Sequence, residues 1–236
     1  MGKRAGIIQS NYIPWKGYFD FIDSVDEFVL FDDVQYTRRD WRNRNLVKTA
    51  NGLQWLTIPI DVKGKYTQLV REARVTSGDW APLHLRSLQH AYGRAPHFAE
   101  YDEWLTQLYA QAADLEYLSE INALFIDALC RAFRIDTPLR RSSEFAIVDG
   151  KNERLISLCR QVGADEYLSG PAARDYLDLE RWRQAGIAVF FKSYQGYPEY
   201  PQLHGAFEHG VSALDLLFHT GTRAREYLKS AIDVEQ

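Results

Sequence analysis

Sulfur is scarce in this chain. Two cysteines, Cys130 and Cys159, and one methionine are all it carries. Both cysteines fall in helical-looking segments and form no metal-spaced pair, so they are expected as buried thiols in a reducing compartment. Histidine is sparse too. His84, His90 and His97 lie on helical stretches without a ligand spacing, and no structural metal is predicted. No apolar run approaches the roughly 18 residues of a membrane span. The basic start MGKRAGII leads into too short an apolar stretch for a secretory signal, and Gly6 stands where a myristoylation pattern needs Ser or Thr. Cytoplasmic residence is the expectation. A positive balance is also missing. The 28 Lys and Arg against 32 Asp and Glu give a net charge of −4, which argues against broad nucleic-acid binding.

What is present reads as an ordinary soluble protein, 46% hydrophobic and 25% charged. The pattern predicts one α/β domain over 1–236, with a helical insertion or subdomain at 79–134. Residues 5–9 read as a strand, Pro14 as the first helical position, and Phe28 to Phe31 as a parallel strand covered on both faces. In NLVKTANGLQWLTIPI, Asn51-Gly52 between strand-like runs predicts a type I′ hairpin, with Pro59 marking an edge or an end. Asp79 is the expected cap of WAPLHLRSLQHAY, and two more amphipathic helices follow. Alternation then resumes: a helix ending at Gly163, the strand EYLS, the helix LDLERWRQAG, the long apolar strand IAVFFKSY and the helix SALDLLFHTG before a polar tail.

In open parallel sheets, ligands lie beyond the carboxyl ends of the strands. Gln9-Ser10-Asn11, Asp32-Asp33, Ser169-Gly170 and Tyr194-Gln195-Gly196 meet that condition. Asp32 and Asp33 are candidates for general base or for binding a ribose, cation or amine; the alternative is turn punctuation. TRRDWRNRN places Arg38, Arg39, Arg42 and Arg44 close together. At helical spacing Arg38 and Arg42 would share a face, and their guanidinium forks suit phosphate or carboxylate. Trp41 between them suits stacking on a ring. Trp15 and Tyr18 open the first helix, where N–H groups attract anions, unless both simply pack on neighbouring loops. The loop SYQGYPEYPQLHGAFEHG is long and without periodicity, a pattern associated with function, and contributes His204 as a catalytic candidate. No nucleophile–base pair is legible.

Two resemblances follow from these stretches. WKGY is similar in spacing to the HxGH of nucleotidylyltransferases, with aromatics in place of both histidines. YLSGPAARDYL echoes the ISxTxIR phosphate signature of that superfamily, with Arg174 in the arginine position. The implied fold is a three-layer Rossmann-like (nucleotidylyltransferase/HUP-like) parallel sheet. Taken together, GIIQSNYIPWKGYFDFI, FVLFDDVQYTRRDWRNRN, WLTIPI, YLSGPAARDYLD and YPQLHGAF…VSALDLLFHTG resemble the WbqC-like protein family from about residue 6 to 222. Ser10 departs from the proline expected there, which should loosen the turn. The family's association with O-antigen and related polysaccharide clusters implies a transferase, acyl or aminoacyl, acting on an amino sugar or sugar nucleotide. An ATP-dependent nucleotidylyl-type enzyme and a non-catalytic nucleotide- or sugar-binding partner protein are the alternatives. The implied partner is a phosphate-bearing small molecule; the cofactor is unknown. The resemblance implies that Gln9, Asn11, Tyr12, Trp15, Gly17, Asp32, Asp33, Gln35, Tyr36, Arg38, Trp41, Asn43, Arg44 and Asn45 line or brace the site, with Gly170, Tyr176, Tyr200, Pro201, Gln202 and Asp215 from the C-terminal half.

Overall fold

The computed structural model describes residues 2–77 and 79–229; Met1, Gly78 and residues 230–236, and so the end of the polar tail, lie outside the described residues. The chain begins with strand β1 (Arg4–Ile8), helix α1 (Lys16–Asp23) and strand β2 (Glu27–Leu30). The hairpin β3 (Arg44–Thr49) and β4 (Gly52–Thr57) precedes three helices, α2 (Trp80–Tyr92), α3 (Phe98–Ala113) and α4 (Leu118–Ala132). Alternation then returns as β5 (Leu139–Arg141), α5 (Lys151–Gln161), β6 (Glu166–Ser169), α6 (Leu179–Gln184) and β7 (Ala188–Phe191), and α7 (Ala213–Thr220) follows a long loop.

Five strands form one parallel sheet in the order β5-β2-β1-β6-β7. Running outward from β1, the chain first builds toward β5 and then returns to add β6 and β7 on the other side. The order therefore reverses between β1 and β6. Side-chain alternation explains the layers. Phe28 and Leu30 join the larger apolar cluster with α1, the α2–α4 block and α7. Ala5, Ile7, Val29 and Phe31 turn to the opposite face and pack with Leu158 of α5 and Trp182 of α6. Gly6 lets α1 approach β1, because a Cβ there would stand 2.5 Å from the Phe21 ring.

Several local expectations change. Pro14 precedes α1; Trp15 occupies the N-cap in extended backbone, and the first helical residue is Lys16. The loop before it carries Ile13 at φ 36°, a left-handed value that costs a β-branched residue energy. Asn45 on β3 holds that conformation by donating Nδ2 to the carbonyls of Tyr12 and Ile13 at 3.1 and 2.9 Å. The hairpin turn is Ala50-Asn51, and only Gly52 has positive φ, at 99°. A type I′ turn needs positive φ at both central residues, so this turn is not of that type. Asp79 makes no side-chain cap bond to α2. Strand β7 ends at Phe191, since Lys192 turns inward to a buried ion pair with Asp20, 2.9 Å away. Strand β5 was not anticipated: it is three residues long and two of them are arginines.

Candidate functional site

The reversal between β1 and β6 is where divergent connections leave a crevice at the carboxyl edge of a parallel sheet. A cleft of about 700 Å³ opens there. Ile7 and Ile8 of β1 and Tyr167 and Ser169 of β6 supply its floor, and the segment Gly170 to Ala173 one rim. Gln9, Trp41, Tyr176 and Tyr194 stand around it, and α5 contributes Lys151, Arg154 and Leu155. The volume lies within the usual range for small-molecule sites. Trp41 is 42% exposed and Tyr176 51%, so both rings offer a face to a ligand. Trp41 is held from behind by Trp55 at a ring separation of 5.3 Å, and Tyr194 by Trp15 at the same separation.

The cationic side of the cleft is oriented by main-chain acceptors. Arg154 donates Nε to Val148 O at 3.0 Å and Nη1 to Asp33 O at 3.4 Å. Lys151 stands in the first turn of α5, whose unpaired N–H groups favour an anion. Gln9 is braced twice: its Oε1 accepts from Arg42 Nη2 at 2.9 Å, and its carbonyl accepts from the Tyr18 hydroxyl at 3.0 Å. Among the described residues the lining contains no carboxylate.

Asp32 and Asp33 line a second, smaller pocket of about 240 Å³ at the ends of β2 and β5. Burial raises the Asp32 carboxyl to about 6, against the hydrogen bonds from Ser10 and the charge of Arg141, while Asp33 adds to the rise. Asp32 Oδ1 accepts from the Ser10 N–H at 2.9 Å, and the Asp32 N–H donates to Ser142 Oγ at 3.1 Å. Ser142 Oγ then donates to Asp33 Oδ2 at 2.7 Å, and Arg71 pairs with Asp33 Oδ1 at 2.5 Å. Asp33 is thus committed to two partners. Ser10 does not loosen its turn; it ties the end of β1 to the end of β2, a bond no proline could make for want of an N–H. Its hydroxyl also accepts from Asn122 on α4 at 3.0 Å.

The remaining sequence-predicted residues disperse. Residues 38–43 form turns rather than a helix, with Arg39 at φ 56°, so Arg38 and Arg42 share no helical face. Arg38 donates to Val62 O, Arg42 pairs with Asp40 at 3.1 Å, and Arg44 lies 4.0 Å over the Trp55 ring. Gln35 reaches Tyr66 O. Tyr12 is fully buried, its hydroxyl on Tyr109 and His84. Tyr18 packs on Phe28, and Trp15 on Tyr194 and Tyr197. Arg174 stacks 4.2 Å over Phe191 on β7. Tyr200 and Gln202 both donate to Asp215 Oδ1, at 2.8 and 2.7 Å, deep under the long loop. His204, at φ 67°, bonds Ala91 O near the end of α2. Asn11 keeps a buried Oδ1 with no partner among the described residues. Asp33 lines the carboxylate pocket and Arg44 lies against the hairpin's Trp55, and neither is on the cleft lining.

Of the expected residues, Gln9, Trp41, Ser169, Gly170, Tyr176 and Tyr194 meet in the cleft, with Arg42 behind Gln9. Lys151 and Arg154 were missed. Their signal, a basic start to a helix after Gly150, is legible only once β5 is known to bring that helix back over the sheet edge. Ser142 was missed for the same reason. Among the described residues, no group of three or more His, Cys, Asp or Glu is disposed to hold a metal ion.

A family model described as the WbqC-like protein family matches residues 9–227. The chain belongs to the WbqC-like family. An uncharacterized protein of Mycobacterium tuberculosis, Rv1507c, is 48% identical over 227 residues, spanning 96% of this chain and 98% of that protein. No solved structure matches. Among the described residues of this WbqC-like chain, no helix is long and apolar enough to cross a membrane.

Proposed function

We propose that this WbqC-like protein takes a phosphate-bearing ring compound, of the sugar-nucleotide class, in the cleft between β1 and β6. It serves acyl or aminoacyl transfer to an amino sugar in bacterial surface-polysaccharide assembly. The observation that carries the reading is the union, at a strand-order reversal, of a cleft of nucleotide size with Lys151, Arg154 and the open rings of Trp41 and Tyr176. Cations neutralise a phosphate and flat rings stack on a base, a pairing that neither a lipid nor a bare sugar requires. The same strand order supports the finer reading of the fold as Rossmann-like and HUP-like, with α2–α4 part of one α/β unit. Asp32, with its carboxyl near 6, is the group suited to accept a proton from an attacking amine.

One observation favours a second reading, a non-catalytic sugar-nucleotide binder: Asp32 and Asp33 line a different pocket from the cleft. The nucleotidylyl reading has less support, since Trp15, Lys16 and Tyr18 are engaged elsewhere and stand in for no phosphate-contacting histidine. A thermal-shift screen against UDP-, GDP- and dTDP-sugars, ATP with magnesium, and CoA separates these readings. A ligand at roughly 100 times its Kd should add about 2.7 kcal/mol. Stabilisation by a sugar nucleotide, lost in Arg154→Ala, supports the proposal; stabilisation by ATP alone, or by nothing, rejects it. Turnover that disappears in Asp32→Asn while binding persists rejects the pure binder.

A further inference from the structure

Gln9 carries a hydrogen-bonding direction that the cations and rings of the cleft do not account for. Its Oε1 accepts from Arg42 Nη2 at 2.9 Å. A guanidinium only donates, so the amide oxygen must face it, and turning the amide over would set N–H against N–H. Arg42 is itself fixed by Asp40, Nη1 to Oδ2 at 3.1 Å. The same carboxylate accepts from the Trp41 main-chain N–H at 2.7 Å and from the Thr37 hydroxyl at 2.5 Å. The Trp41 carbonyl in turn accepts from the Tyr12 N–H at 3.1 Å. One short chain of bonds therefore ties the open ring of Trp41 to the Gln9 amide, and both stand on the cleft lining. What is left over is Gln9 Nε2, a donor with no partner among the described residues.

A ring laid on Trp41 thus meets an N–H at its edge. Base and phosphate lie at opposite ends of a nucleotide. With the phosphate at Lys151 and Arg154, the base edge remote from the sugar is the one that can reach Gln9. Uracil, thymine and guanine carry a carbonyl on that edge, whereas cytosine and adenine carry an amino group. A carbonyl accepts from Nε2. An amino group opposes donor to donor, and the lining has no carboxylate to take its hydrogens. We infer that Gln9 determines the specificity of the cleft, selecting nucleotides of a carbonyl-bearing base, uracil, thymine or guanine, against those of cytosine and adenine. Arg42 and Asp40 are positioning residues: they hold the amide in the one orientation that reads the difference. The inference rests on the sugar-nucleotide reading of the cleft and names which nucleotides that reading admits.

Isothermal titration of the full chain with two matched pairs tests it: UDP against CDP, and inosine diphosphate against ADP. Within each pair the ring size is the same and a carbonyl on that edge is exchanged for an amino group. The carbonyl member should bind about tenfold more tightly, the value of one hydrogen bond gained and one donor clash avoided. Gln9→Glu keeps an oxygen on Arg42 but offers the ligand a second oxygen where the N–H stood. If Gln9 only braced Arg42, this variant would leave both ratios unchanged; a specificity role predicts that they fall to about one or invert. Equal affinity within the wild-type pairs, or ratios that Gln9→Glu does not alter, overturns the inference while the cleft reading stands. No binding by any of the four nucleotides overturns both. The wild-type ratios need no variant, so a poorly folding Gln9→Glu does not shield the inference from refutation.

Discussion

Replacing Asp32 by asparagine should make the protein more stable at neutral pH, and the gain should vanish on acidification. Burial of the Asp32 carboxylate lifts it from 3.8 to about 6, so the fold prefers the protonated acid. Above that value the folded chain holds a charge it disfavours. The rise of about two units corresponds to about 3 kcal/mol of destabilisation at pH 8. As pH falls through about 6 toward 3.8, the folded state takes up its proton before the unfolded state does, and that cost disappears. Asparagine keeps an oxygen to accept the Ser10 N–H and has no charge to lose. Asp32→Asn should therefore gain about 3 kcal/mol at pH 8, or roughly 6–12 °C in Tm for a chain of this size, and nothing near pH 4. The assay is urea unfolding of both proteins from pH 4 to 8, read as a difference. The difference matters because His84 runs the other way. Its burial lowers it from 6.5 to about 4, so stability is lost as pH falls through that window. A gain independent of pH, or a variant weaker at pH 8, would refute the reasoning.

His84→Gln should remove the acid limb of the wild-type curve: the wild type loses up to about 3 kcal/mol between pH 6.5 and 4 from this group, and the variant does not, by the same urea titrations. Asn45→Ala orphans the carbonyls of Tyr12 and Ile13 and the N–H of Leu46, and should cost about 3 kcal/mol, seen as a lower urea midpoint at unchanged slope. Trp41→Ala removes a half-exposed ring, so stability should change by less than about 1 kcal/mol, whereas the affinity for a ring-bearing cleft ligand should drop about tenfold in titration.

The sheet was readable where its physics is local. A continuous apolar run at Phe28 to Phe31 has few uses besides a strand buried on both faces, and β2 is one. The helical block from Trp80 to Ala132 announced itself through amphipathic period, and Gly163, at φ 70°, ends α5's segment as its position suggests. Non-local pairing hid the rest. Leu139 to Arg141 becomes a strand only because β2 offers it a free edge, and without it neither Ser142 nor the basic turn of α5 could be placed. The arginine cluster misled for a related reason. Proximity in sequence suggested a common target, but left-handed Arg39 and the hairpin separate the side chains. Tyr12 and Asn45 read as site residues, yet they brace the strained loop that presents Gln9. A residue that positions and a residue that touches leave the same mark on a motif.

The claim on which the functional account rests is that the β1–β6 cleft binds a phosphate and a ring together through Lys151, Arg154, Trp41 and Tyr176. Calorimetric titration of the wild type and a Lys151→Ala, Arg154→Ala double variant with the most stabilising sugar nucleotide addresses it directly. The account predicts saturable binding to the wild type, weakened more than about tenfold in the double variant and in the phosphate-free nucleoside. Equal affinity of the two proteins, or of nucleotide and nucleoside, would contradict it.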